Sequence, residues 1–180
     1  MTRLFIAAIA LFCLAVPAAL AAPPAGQGPT APNPSQLCAE QLRTMGAANF
    51  QSLYAPNGNG KNAKGKCTSR QAQLVVTAAD NAAKTCKTER GTTETTITAF
   101  QTKYGTNPNK KNAFGKCVSS VANAAVEAQQ DATINAARTC KAERALNPAA
   151  FKLKYGTNAN KANAFGKCVS KLAKEQGSSS

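Results

Sequence analysis

The chain has 180 residues, with 22 Lys and Arg against 8 Asp and Glu, a formal net charge of +14, and no histidine. Without an imidazole, a Ser-His-Asp triad and a Cys-His nucleophile pair are excluded, and the commonest general base and metal ligand are both missing. The charge excess either favours polyanionic neighbours or serves only solubility.

At the start of the chain, Arg3 provides a positive n-region, Leu4 to Val16 an apolar run, and Pro17 with Ala19-Leu20-Ala21 a small-residue end. That order predicts a cleavable signal peptide over residues 1–21, cut after Ala21. The run is shorter than the roughly 20 apolar residues that cross a bilayer, so the mature form is expected to carry no transmembrane anchor. Cys13 follows Leu11-Phe12 rather than small residues, which argues against lipidation there. Loss of Arg3 with the leader lowers the net charge from +14 to +13. Residues 22–36 hold five prolines and no charge, and read as a disordered Pro-rich linker.

The remainder is a repeat array. Phe50, Tyr54 and Cys67 recur as Phe100, Tyr104 and Cys117 and as Phe151, Tyr155 and Cys168, with internal spacings of 4 and 13 in all three copies. Repeat 1 is assigned to residues 37–80, repeat 2 to 81–131, repeat 3 to 132–176 and a flexible tail to 177–180. The first copy is degenerate, with Ala55-Pro56 in place of Gly-Thr and Lys64 in place of Phe114 and Phe165, as suits a terminal repeat with one face in water.

Between Asn112 and Leu146, positions 114, 117, 118, 121, 125, 128 and 132 follow one helical face. They predict one long helix with Asn112 as its N-cap; Asn62 and Asn163 occupy the same place in the other copies. A shorter helix would carry Phe151 and Tyr155 as i, i+4 neighbours and end at Gly156, with Phe100, Tyr104 and Gly105 as its equivalent. The expected fold is therefore all-α: three tandem disulfide-stapled helical hairpins joined by long helices, each closed by a polar turn such as Thr157 to Lys161.

Six cysteines follow the leader: Cys38, Cys86 and Cys140 lie 29, 31 and 28 residues before Cys67, Cys117 and Cys168. An even count in an exported chain reads as a disulfide framework. Cys67 and Cys86, if on one helix, stand about 28 Å apart and cannot bond. Pairing within each repeat is then the economical choice. No C-x-x-C pair exists, which disfavours a zinc site.

Glu89 and Glu143 are repeat equivalents, each followed by an arginine, and are expected to form intramolecular ion pairs with Lys116 and Lys167. The eight aromatic residues after the leader all belong to the repeated text, which favours packing over stacking platforms. Gly65, Gly115 and Gly166 each precede the second cysteine by two residues, and a glycine inside a helix costs about 1 kcal/mol relative to alanine. Their retention suggests close approach of another backbone or of the disulfide.

The turns remain as contact candidates. Asparagine-rich turns before a helix N-terminus offer N–H groups to anions, and they carry Lys61, Lys64, Lys110, Lys111 and Lys161. Having no aspartate, they make poor calcium loops. The text Phe-x-x-Lys-Tyr-Gly-Thr-Asn followed by Asn-Ala-Phe-Gly-Lys-Cys-Val-Ser, at Phe100 to Ser119 and Phe151 to Ser170, resembles a segment found singly or in tandem in uncharacterised secreted bacterial proteins. The resemblance implies export and repetition and assigns no activity. Together these features predict a non-enzymatic protein without cofactor, catalytic or metal-binding residues, secreted or cell-wall associated. It would hold an anionic cell-wall polymer or other polyanion, or alternatively an envelope protein; export argues against nucleic acid as its physiological partner.

Overall fold

The computed structural model describes residues 32–57 and 60–177; the signal-peptide assignment, most of the linker and the last three residues lie outside the described residues. Among the described residues every regular element is a helix: α1 (Pro34–Met45), α2 (Ala47–Tyr54), α3 (Ala63–Arg90), α4 (Glu94–Tyr104), α5 (Ala113–Leu146), α6 (Pro148–Tyr155) and α7 (Ala164–Gly177). Pro34, Ser35 and Gln36, read above as the end of the linker, instead form the first turn of α1. Proline suits a first helical position, whose N–H has no partner within the helix, and the Asn33 side chain caps Ser35 N–H at 2.9 Å. Asn147 with Pro148 starts α6 in the same manner, accepting from Ala150 N–H at 2.9 Å. Thr93 caps α4 through Thr96 N–H.

Three disulfides join the helices: Cys38–Cys67 ties α1 to α3, Cys86–Cys117 ties the end of α3 to the start of α5, and Cys140–Cys168 ties the end of α5 to α7. The six bridged sulfurs sit in the interior, with none of these six cysteines above 1 % exposed. Such bridges belong to a chain that folds in an oxidising compartment. No helix among the described residues is long and apolar enough to cross a membrane.

The middle disulfide sets the architecture. At 28 and 34 residues, α3 and α5 are about 42 and 51 Å long. Because the end of one is bonded near the start of the other, they run antiparallel. The start of α3 therefore lies beside the end of α5, which brings the first and third copies together at one pole. Cys38, Phe50, Cys67, Cys140, Phe151, Phe165 and Cys168 share a single core there. The second copy builds its own core at the other pole, from Cys86, Phe100, Cys117, Val118, Ala122 and Val126.

The buried face of α5 departs from the expected one. It begins with Cys117 and Val118 but continues through Ala122, Val126 and Gln130, while Ala125 and Ala128 are exposed. In an alanine-rich helix the methyl groups on competing faces bury similar areas, so the branched Val126, 1 % exposed, decides which face turns inward.

Candidate functional site

The asparagine turns of the second and third copies have nearly the same structure, and Asn112 and Asn163 organise them. Neither asparagine caps its helix through the side chain. Asn112 Oδ1 accepts from Thr106 N–H (3.1 Å) and Asn107 N–H (3.4 Å), and its Nδ2 donates to Thr106 Oγ1 at 2.7 Å. Asn163 makes the same contacts with Thr157 and Asn158, at 3.0, 3.4 and 2.7 Å. Asn109 and Asn160 accept from Lys111 N–H and Ala162 N–H, each at 3.1 Å. Backbone donors expected to face an anion are thus taken by the turn's own side chains.

Two of the five candidate lysines also belong to the turn. Lys110 Nζ donates to Gly105 O at 2.9 Å and Lys161 Nζ to Gly156 O at 3.1 Å. Both adopt left-handed backbone, at φ 55° and 54°, a conformation that costs a lysine on the order of 1 kcal/mol. The first copy has Gly60 at this position, with φ 76°. Gly105 and Gly156 end their helices in extended rather than left-handed backbone. What requires glycine there is space: a Cβ on Gly105 would lie 2.7 Å from Lys110 Cδ, and on Gly156 2.7 Å from Lys161 Cδ.

Lys61, Lys64 and Lys111 are exposed. The fold gathers Lys61, Lys64 and Lys161 at the pole where the first and third copies meet, and Asn158 Nδ2 donates to Asn57 Oδ1 at 2.9 Å, joining the two turns. Lys110 and Lys111 lie with the second copy at the opposite pole.

Glu89 and Glu143 do form ion pairs, but with other lysines than expected. Glu89 accepts from Lys103 Nζ at 2.6 Å and Tyr104 OH at 2.9 Å; Glu143 accepts from Lys154 Nζ at 2.7 Å and Tyr155 OH at 2.8 Å. Lys116 and Lys167 are exposed on the first turns of α5 and α7, whereas the ends of α4 and α6 fold back over the glutamates. The Lys103 ammonium and the Tyr104 hydroxyl hold the Glu89 carboxyl below the ordinary carboxylate range, and Lys154 and Tyr155 do the same for Glu143. The glutamates in turn raise the pKa of both lysines. Each ammonium also lies over its neighbouring tyrosine ring, 4.8 and 4.9 Å from the centroid.

The first copy has a neutral version of this cluster. Gln41 stands three residues after Cys38, as Glu89 and Glu143 stand after Cys86 and Cys140, and Leu53 takes the place of Lys103 and Lys154. Gln41 is fully enclosed, accepts from Tyr54 OH and donates through Nε2 to Gln130 Oε1 at 2.5 Å; Gln130 donates onward to Leu37 O at 3.0 Å. Burial pushes the Tyr54 phenol above its ordinary pKa, against the opposing effects of Gln71 and Arg70. Ionised partners could not be retained there without a large desolvation cost. The first copy therefore departs from the others at Gln41 and Leu53 because that side is buried, while exposed Lys64 meets water as expected of a terminal copy. Cysteine-relative spacing was the signal for Gln41, which the glutamate comparison left out.

The three helical glycines differ in surroundings. A Cβ on Gly65 would meet Asn62 Oδ1 at 2.6 Å, one on Gly166 would lie 3.4 Å from Ser52 O and 3.5 Å from Leu53 O in α2, and one on Gly115 would meet nothing within 4 Å. Close backbone approach thus explains Gly166 alone. No group of three or more Cys, Asp and Glu side chains among the described residues is arranged to hold a metal ion. No protein-family model, curated protein or solved structure matches the chain.

Proposed function

We propose that this is an exported, non-catalytic binding protein, built of three disulfide-stapled helical hairpins, that holds an anionic cell-envelope polymer or similar polyanion. The observation that carries this reading is the use of the acidic residues. Against 22 Lys and Arg there are only 8 Asp and Glu, and Glu40, Glu89 and Glu143 are paired within the fold. The surface is left with a large cationic surplus, and the meeting of the first and third copies concentrates part of it around Lys61, Lys64 and Lys161. Repeated weak cationic sites on one rigid body gain avidity for a polymer that engages them together.

The test is retention of the oxidised chain on teichoic acid, heparin, DNA, neutral glycan and bare peptidoglycan, each titrated with salt. Retention on the anionic polymers should fall steeply with ionic strength, because exposed charges are screened over about 8 Å at physiological salt. Replacing Lys64 and Lys111 with glutamine should weaken retention without loosening the turns, and Lys61→Gln should weaken it further; Lys110→Gln and Lys161→Gln should also remove a turn contact. Undiminished retention with all five replaced sinks the proposal. Leu146 and Leu153, 87 % and 75 % exposed, favour a second reading as a structural or protein-interaction component of the envelope, whose binding would persist in salt.

A further inference from the structure

The lysines and arginines of the two long helices are confined to their ends. Along α3 no cation stands between Arg70 and Lys84, about 21 Å, and along α5 none between Lys116 and Arg138, about 33 Å. Within those spans lie Asp80, Glu127 and Asp131, all exposed. Because the Cys86–Cys117 bridge holds the helices antiparallel, the two spans lie side by side and form one waist. The shorter helices bring no cation across it. Helix α1 reaches it through Leu37 O, which accepts from Gln130 within an uncharged stretch from Asn33 to Ala39, and α7 reaches it with Gly177, beside Gln129 and past its last lysine, Lys174.

The charges of the described residues therefore fall into three zones. Residues 84–117, the pole of the second copy, have seven Lys and Arg against two acidic residues. Residues 32–70 and 138–177, the pole where the first and third copies merge, have fourteen against three. The waist, residues 71–83 and 118–137, has three acidic residues and no cation.

One continuous binding track would need cations along its whole length. A polyanion lying lengthwise on this rod would instead pass about 20 Å of waist with carboxylates and no cation to meet it, more than twice the roughly 8 Å over which charges are screened at physiological salt. Each pole by itself is well supplied with exposed lysines: Lys84, Lys87, Lys111 and Lys116 at one, and Lys152, Lys167, Lys171 and Lys174 among those at the other. At the larger pole the first and third copies can serve one polymer chain together.

We propose that the protein cross-links polyanions: each pole holds a separate polymer chain, and the acidic waist is the spacer between them. The inference rests on the polyanion reading and adds bivalency to it, so that the protein gathers anionic polymers into a network instead of coating single chains.

A sandwich measurement on the oxidised chain tests it. Protein retained on heparin beads at low salt should capture fluorescent heparin added afterwards. Lys84→Gln, Lys87→Gln, Lys111→Gln and Lys116→Gln together should leave the chain on the beads, held by the larger pole, while capture falls about ten-fold or more. These four side chains are exposed, so the thermal midpoint should not fall. Removing the same charge from the larger pole, with Lys152→Gln, Lys167→Gln, Lys171→Gln and Lys174→Gln, leaves ten of its fourteen cations and should lower capture far less. Retention without capture overturns the proposal. Equal loss of capture in the two variants also overturns it, because total charge and not its placement would then be the determinant. No retention of the wild-type chain at low salt rejects the polyanion reading, and this proposal with it.

Discussion

Replacing Gln41 with leucine should be among the most destabilising single changes in this protein, although it puts an apolar residue into a buried site. The fully enclosed Gln41 accepts from Tyr54 OH and donates to Gln130 Oε1. Leucine would leave one buried donor and one buried acceptor without partners, at about 1–3 kcal/mol each. Added apolar burial returns on the order of 1–2 kcal/mol, so the expected net loss is roughly 0–5 kcal/mol, about 2.5 kcal/mol at the middle of the range. Urea unfolding of the oxidised protein, read as a shift in midpoint at constant slope, measures it. The Tyr54→Phe variant removes the donor alone, and in the double variant leucine strands no hydroxyl. The two losses should therefore fall short of additivity by about 1 kcal/mol. Strict additivity with Tyr54→Phe would refute the view that this neutral network pins the first copy to α5.

The Cys86–Cys117 bridge closes a 31-residue separation, for which the chain-entropy relation gives about 3.7 kcal/mol. A Cys86→Ala/Cys117→Ala variant should lose an amount of that order, and hydrogen exchange should show the loss of protection concentrated in α4 and the adjoining ends of α3 and α5, because the second copy has a core of its own. The Glu89 and Glu143 carboxyls have depressed pKa values when folded, so their contribution is fully present above the unfolded value near 4.3 and disappears as pH falls through the folded values. Thermal midpoints should consequently drop on acidification below about pH 5, and Glu89→Gln with Glu143→Gln should flatten that drop; an unchanged acid-side slope would contradict the pairing with Lys103 and Lys154.

The functional consequence of the fold is an unequal distribution of chemistry along a rod-like pair of helices. At one pole two copies merge, bury a neutral polar network and place their asparagine turns side by side. At the other a single copy keeps its ionic cluster exposed, with Phe114 half-buried against its core. Among the described residues Glu40 and Asp131 line an open cleft between α1 and α5, whereas Glu89 and Glu143 are held by neighbouring lysine and tyrosine side chains.

What the sequence by itself determined was local. The helical character follows from alanine-rich stretches without interior proline. Chain reach excludes a Cys67–Cys86 bridge and leaves pairing within each repeat as the economical choice, which is the pairing the structure has. The tertiary structure decided the rest. The buried face of α5 depends on what packs against it, because alanines differ too little in burial to specify a direction. The partners of Glu89 and Glu143 depend on α4 and α6 folding back over them, which no spacing along the chain encodes. The role of Asn112 and Asn163 within their turns, and of Lys110 and Lys161 as clamps, follows from backbone geometry at two left-handed residues. Above all, the merger of the first and third copies arises from the antiparallel course of two long helices, and it explains why one copy exchanged a glutamate and a lysine for Gln41 and Leu53: water solvates the charges of the other copies but is excluded from this one.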